Sequence, residues 1–202
     1  FNTKAGVDTL AKLSKATQDG SINKISWTGR WVEPNNAFAG GTVGMFAGSS
    51  AAYAWFKNQG SGWVNADSLG VAPIPGGSST IGYHGLAVSK SSKHPDLAWK
   101  LIKTITSDKF ALEFGRKTSV LPGKIKVDKE VTAEVKAKDP VKGQVYDMMY
   151  LDLDKVTAGW PFPQDEQLKE AIYPEIQSAV LGRKSAEDAL ADAERKINRI
   201  LR

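Results

Sequence analysis

Apolar side chains recur along this chain mostly at helical spacing and only in three short stretches as continuous runs. Between residues 3 and 18, Val7, Leu10, Ala11 and Ala16 fall on one face and Asp19-Gly20 supplies a stop, which predicts an amphipathic helix. Residues 34–39 predict a short helix ended by Gly40-Gly41, and residues 42–46 an apolar strand that empties into Ala47-Gly48-Ser49-Ser50. Residues 51–58, rich in Ala and aromatics, predict a helix with Ser49 or Ser50 at its N-cap. Residues 59–67 read as a loop. Residues 69–74 read as a buried strand closed by Pro75-Gly76-Gly77, and after a small-residue loop residues 83–89 read as another.

The second half is helical. Pro95 after His94 opens a helix with Ala98, Leu101, Ile102 and Ile105 on one face. Ser107-Asp108 caps another, carrying Phe110, Ala111 and Phe114 and expected to stop at Gly115. Residues 128–138 and 141–150 predict two helices separated at Asp139-Pro140, because proline disfavours helix in the residue before it. Residues 157–163 are too proline-rich for a regular element. Residues 164–181 place Leu168, Ala171, Ile172, Ile176, Ala179 and Val180 at helical spacing, with Pro174 a kink and Gly182 a C-terminal cap. From Ser185 a box-like cap leads into a last helix through Ala189, Leu190, Ala193, Ile197 and Ile200. Strands interleaved with helices predict an α/β fold without internal repeats.

With 41% apolar side chains in 202 residues there is material for one or two compact lobes with a core. No apolar run approaches the roughly 18 residues of a membrane-spanning helix. The net charge of +5 is spread along the chain, without the dense basic tract of a nucleic-acid arm. Cysteine is absent, which excludes disulfides, thiolate nucleophiles and Cys-ligated metal sites but leaves the compartment open. The sequence starts at Phe1 with neither an initiator Met nor a signal peptide, as expected of a processed product or part of something longer.

Catalytic constellations are lacking. Gly48-Ser49-Ser50-Ala51 does not match the nucleophile elbow, so a serine hydrolase built on Ser49 or Ser50 with His84 is the weakest of the alternatives, and helix capping accounts for the serines. His84 and His94 are too far apart for a helical metal pair, and His94 reads as a surface residue. The glycine-rich stretches 40–44 and 76–82 lack both the Lys-Ser/Thr ending of a P-loop and dinucleotide-fold spacing. No catalytic residue, metal or cofactor is expected.

Aromatic residues are over-supplied beside small and polar ones. Ser49-Ser50 with Tyr53, Tyr83-His84, and Trp160 to Asp165 each join a ring to hydroxyls, backbone N–H groups or charge near an element's end. A neutral polyhydroxylated ligand suits that combination, since ring faces cover a sugar's C–H face while its hydroxyls need directional hydrogen bonds; core packing accounts for the same rings equally simply.

In order along the chain, several stretches then resemble one family. Phe38-Ala39-Gly40-Gly41-Thr42-Val43-Gly44-Met45 precedes Gly48-Ser49-Ser50; Gly70-Val71-Ala72-Pro73-Ile74-Pro75-Gly76-Gly77 precedes a Gly82-to-Ser89 stretch; Ser92-Lys93-His94-Pro95, Thr106-Ser107-Asp108 and Val120-Leu121-Pro122 follow. The ending Val180-Leu181-Gly182-Arg183-Lys184-Ser185-Ala186-Glu187-Asp188-Ala189-Leu190 is the most specific. Together they are similar to the C-terminal portion of the sugar-binding extracellular solute-binding proteins of ABC importers, the family that includes maltose-binding protein.

The resemblance implies a periplasmic-binding-protein-like fold of two lobes. Residues 1–83 and 121–202 would belong to the C-terminal lobe and residues 84–120 would be a crossover strand and helices of the N-terminal lobe, whose greater part is absent. It implies a receptor, not an enzyme, that captures a carbohydrate between the lobes by hinge closure and delivers it to membrane permease subunits, in the periplasm or outside the cell and anchored by a lipid if its N-terminus carries one. Carried over by position, Trp31 and Trp160 would stack on sugar rings; Ser49, Ser50, His84 and Asp165 would bond hydroxyls; and Tyr53, Tyr83 and Phe162 would complete the site. A departure is Ser50-Ala51 where relatives often carry a Trp after the Gly. The alternative on the same scaffold is a receptor for a charged solute, such as a phosphate ester, polyamine or metal chelate, for which the +5 charge leaves room.

Overall fold

The computed structural model describes residues 1–74, 82, 84–151, 156 and 162–202, with residues 150 and 151 described by backbone alone. Contacts divide the chain into two compact units, one of Phe1–Phe46 and Trp160–Arg202, the other of Ala47–Gly159.

In the first unit, α1 spans Lys4–Gln18, α2 Val32–Ala39, α8 Asp165–Val180 and α9 Ala186–Ile200, with a 3-10 turn at Lys24–Trp27. The Thr3 side chain accepts from the Gly6 N–H and the Ser185 side chain from the Asp188 N–H, so α1 and α9 begin on bonded caps. Helices α8 and α9 form a hairpin turned by Gly182 at φ 74°. There the Gly182 N–H donates to the Ala179 carbonyl at 2.9 Å and the Arg183 N–H to the Ser178 carbonyl at 2.8 Å, the paired bonds that end a helix on a left-handed glycine. Leu10 from α1 joins Ala179, Val180, Ala186, Ala189 and Leu190 in one buried cluster, and Leu168, Ala171, Ile172, Ala193 and Ile197 form a second along the hairpin. Small residues on α9 let the helices approach closely, and burial of Leu or Ile contributes about 1.5–3 kcal/mol each. Trp27 is fixed over the first cluster: its indole N–H donates to Thr17 Oγ1 at 2.9 Å and its carbonyl accepts from Gln177 Nε2 at 2.5 Å. Beside the turn, the buried Glu175 carboxylate accepts from Lys184 and Lys196, each at 2.6 Å.

In the second unit, α3 spans Ala51–Asn58, α4 Pro95–Ile105, α5 Asp108–Lys117, α6 Ile125–Lys138 and α7 Pro140–Leu151. Ala111 of α5 packs with Val127, Val131 and Val135 of α6 and Tyr146 of α7. Tyr146 is fully buried, and its hydroxyl donates to the carbonyls of Gly115 at 2.7 Å and Thr118 at 2.9 Å, which ties the end of α5 to α7. Lys142 is drawn in as well, donating to the Arg116 carbonyl at 2.9 Å, and burial lowers the pKa of its ammonium.

The helices stand close to their expected places, with physical reasons where they differ. α5 runs through Gly115 instead of ending there: a Cβ at that position would lie 3.0 Å from both Val131 methyls, so this glycine serves close packing. α2 starts two residues before and α6 three residues before the expected positions. The α/β expectation finds no support among the described residues. Of the expected strands 42–46, 69–74 and 83–89, the described residues pair with no other segment and form no ladder. An apolar run supplies a side-chain pattern, but a strand exists only when a second segment accepts its backbone bonds, and the described residues offer none. The expected loop at 76–82 and the irregular stretch at 157–163 lie almost wholly outside the described residues.

Folding holds the Glu175 carboxylate below its ordinary 4.5 through the Lys184 and Lys196 bonds, against the opposing effect of burial. A depressed carboxylate contributes stability fully above its unfolded pKa and loses it as pH falls through the folded value. Glu175→Gln therefore costs about 2 kcal/mol at neutral pH. Urea denaturation should show the gap from wild type narrowing as pH falls from 7 towards 3; a gap constant with pH refutes the assignment. A Cβ on Gly143 would stand 2.9 Å from Lys136 Cα, so Gly143→Ala should destabilise by about 1–3 kcal/mol although alanine favours helix by about 1 kcal/mol. Thermal unfolding followed by circular dichroism checks the sign.

Candidate functional site

Trp31 occupies the N-cap of α2 without a side-chain capping bond and leaves 79% of its surface in solvent. Its backbone carbonyl accepts from the Asn35 N–H at 3.3 Å, so the residue is fixed while its ring is free. Among the described residues no other exposed ring offers a ligand as much uncovered surface to bury. Beside it Arg30 pairs with Glu33 at 2.8 Å. Two buried oxygens of α2, Glu33 Oε2 and Asn35 Oδ1, have no hydrogen-bond partner. Sequence reasoning did not single them out, and polar residues in a short helix give no pattern that could have.

In the same unit, Phe162 is 45% exposed, and its carbonyl accepts from the Asp165 N–H at 3.1 Å in the turn that opens α8. The structure thus brings these two residues together. The Asp165 carboxylate is held by Lys169 at 2.5 Å on the next turn of the helix, an ion pair that also raises the Lys169 pKa. Acidic Asp165 and Glu166 in the first turn favour the helix electrostatically.

The second unit holds Ser49, Ser50, Tyr53 and His84. Ser50 is the N-cap of α3 as expected, but in helical geometry with no side-chain cap bond, which leaves its hydroxyl uncommitted to the helix. Ser49 beside it is exposed, and its carbonyl accepts from the Ala52 N–H at 3.0 Å. Tyr53, one turn on, has a different place: its ring is 5% exposed and its hydroxyl donates to Asp139 Oδ2 at 2.6 Å. Asp139 Oδ1 accepts from the Lys142 N–H at 3.0 Å, so one carboxylate caps α7 and anchors α3. Burial, and then the bond to Asp139, raise the Tyr53 pKa well above the ordinary tyrosine value. His84 lies exposed in the stretch 84–89, which forms no helix or strand, and no hydrogen bond joins it to either serine. Tyr83 and Trp160 lie outside the described residues.

None of the described candidate residues lines either of two surface depressions, one between α1 and the start of α9 past Ser14, Gln18, Lys184 and Glu187, the other past Gln167, Glu170, Lys196 and Arg199. Among the described residues, no group of three or more His, Asp or Glu could hold a metal ion, and no helix is long and apolar enough to cross a membrane.

Residues 2–142 match the model of a family described as bacterial extracellular solute-binding proteins. In three dimensions the chain is similar to a candidate oligosaccharide periplasmic-binding protein from Synechococcus sp. MITs9220, with a TM-score of 0.80 at 22% identity over 99% of this chain and 53% of that one. A structure of the same description in complex with zinc gives a TM-score of 0.76 at 21% identity, covering 99% of this chain and 52% of the other. The chain thus spans about half the length of these solved structures, and its likeness to them is one of periplasmic-binding-protein fold. Both the family and these neighbours are binding proteins.

The two aromatic candidates of contrasting burial separate by stability. Tyr53→Phe should cost about 2 kcal/mol, because a buried bond to a carboxylate is lost. Trp31→Ala should stay within about 0.5 kcal/mol of wild type, because the ring supports nothing around it. Urea denaturation measures both; a large loss for Trp31→Ala would mean that the ring is structural.

Proposed function

The chain belongs to the bacterial extracellular solute-binding proteins, and from that premise we propose that it is part of the receptor subunit of an ABC importer that captures a carbohydrate. The observation that carries this reading is the coincidence of two matches on one chain: the family over residues 2–142, and a periplasmic-binding fold over 99% of the length. The neighbour's description as a candidate oligosaccharide binder supports the ligand class, and so does the exposed indole of Trp31. Such a receptor holds its ligand between two lobes, closes by a hinge and passes the ligand to permease subunits without making or breaking a covalent bond. It works in the periplasm or outside the cell, held near the permease by a lipid where its N-terminus carries one.

In this reading Trp31 stacks on the apolar face of a sugar ring, and Trp160 does the same from the segment before α8. Ser49, Ser50, His84 and Asp165 bond hydroxyls, with Phe162 as a further apolar wall and Tyr83 beside His84. Tyr53 acts through its anchoring of α3, which fixes the Ser49-Ser50 turn.

The test is a thermal-shift and calorimetry screen of the full gene product against mono- and oligosaccharides, polyols, polyamines and phosphate esters, since a ligand that binds only the folded state raises the melting temperature. A sugar that shifts melting and quenches tryptophan fluorescence is expected, and Trp31→Ala or Trp160→Ala should weaken its binding at least about tenfold, roughly 1.4 kcal/mol. Silence for every sugar with a salt-sensitive hit among the charged solutes replaces the ligand class and keeps the receptor. Unchanged affinity in both variants removes the stacking assignment.

A further inference from the structure

Most buried polar side chains of this chain are bonded inside the fold. Ser14 donates to the Leu10 carbonyl at 2.9 Å, Thr17 to the Leu13 carbonyl at 2.8 Å and Lys142 to the Arg116 carbonyl at 2.9 Å, and Glu175 accepts from two lysines. Asn35 on α2 departs from this rule. It is only 9% exposed, yet its Oδ1 is enclosed without a hydrogen-bond partner, and no hydrogen bond joins its side-chain amide to any described residue. An amide in that state has lost its water without replacement, and the loss is recovered only when a partner arrives from outside the fold.

The place of Asn35 says what that partner is. Trp31, Asn35 and Phe38 follow one another at four- and three-residue spacing and so share one stripe of α2, with the Asn35 N–H donating to the Trp31 carbonyl across the first turn. At the inner end of the stripe Phe38 is buried, its ring 5.6 Å from that of Phe46; at the outer end Trp31 stands in solvent. A stripe that served packing alone would carry an apolar residue at position 35 and cover the ring at 31. This one runs from the core through an unbonded amide to an open indole, which is an apolar wall with a directional polar group one turn deeper, as in a ligand site. Glu33, whose Oε2 is also unpartnered, falls on the far side of the helix, and its other oxygen pairs with Arg30.

A carboxamide is uncharged and offers both an acceptor and donors, and its broad terminal torsion lets oxygen and nitrogen exchange places to suit what is brought to it. It therefore suits a group that both donates and accepts, which a hydroxyl does, and supplies no counter-charge to a phosphate or an ammonium. The indole one turn away suits the C–H face of the ring that carries such a hydroxyl. We infer that Asn35 is a specificity-determining residue of a saccharide site at the open end of α2, its amide bonding a hydroxyl of the sugar ring that stacks on Trp31. The inference rests on the carbohydrate-receptor reading and adds to it the residue that reads the hydroxyl.

Asn35→Leu and the smaller Asn35→Ala both remove the amide. In the full gene product each variant is measured twice: its urea midpoint without sugar, and its affinity for maltotriose, cellotriose and xylotriose by calorimetry at a temperature where it is folded. An amide without a partner in the fold stabilises nothing, so Asn35→Leu should keep or raise the wild-type urea midpoint. In both variants, binding of the trisaccharide that the wild type takes should weaken at least about fivefold. A midpoint lowered in both variants makes Asn35 structural and overturns the inference while the receptor reading stands. Wild-type affinity in a folded variant overturns it in the same way. A wild type that binds none of the three trisaccharides removes the carbohydrate reading, and the inference falls with it.

Discussion

Every buried backbone N–H and C=O in this chain has to find a partner, and defined structure lies where that partner is close in sequence. A helix closes its bonds four residues away and needs help only at its ends, which Thr3, Ser107 and Ser185 supply with side-chain oxygens and Gly182 with a left-handed turn. An extended segment has no such recourse, because its partner is a different segment. The consequence reaches the candidate site. Residues at helix ends, Trp31, Ser50 and Asp165, have fixed backbone positions, whereas His84 is carried by a stretch with neither helix nor ladder to hold it.

The same distinction governs what could be read from the sequence. α1, α3, α4 and α9 were legible to within a residue because periodicity, caps and stops agree there. Gly115 misled, since a glycine that permits close packing and one that ends a helix look alike in sequence, and only Val131 across the interface tells them apart. The stretches 42–46, 69–74 and 84–89 have strand composition, but pairing is a property of two segments and cannot be read from one. Long-range polar anchors were invisible for the same reason. Tyr53 and Asp139 are 86 residues apart, and Lys196 lies 21 residues from Glu175, so no local spacing marks either pair.

Aromatic residues show the limit most clearly. Trp27, Trp31, Tyr53 and Phe162 all sit beside small or polar residues, and the sequence treats them alike. The structure separates them by whether the ring's polar atom has a partner inside its own unit. Trp27 has Thr17 and Tyr53 has Asp139, and both are drawn in; Trp31 stays out with its ring uncovered, and so does Phe162, which has no polar atom to anchor. A buried Tyr or Trp serves the fold through both ends, whereas an exposed ring on a fixed backbone is available to a ligand.

Charge near those exposed rings bears on what such a ligand would be. The net charge of +5 is a property of the whole chain and carries little weight at a site screened over a Debye length of about 8–10 Å. Locally, Arg30 beside Trp31 is already paired with Glu33, and Asp165 beside Phe162 with Lys169. An ionic ligand would have to compete with those pairs, losing much of what it gained. Indole and phenyl faces and serine hydroxyls face no such competition, and they match the C–H faces and hydroxyl edges of a neutral sugar. The proposal of a neutral polyhydroxylated ligand over a charged one therefore draws its support more from the pairing of the charges than from the number of aromatics.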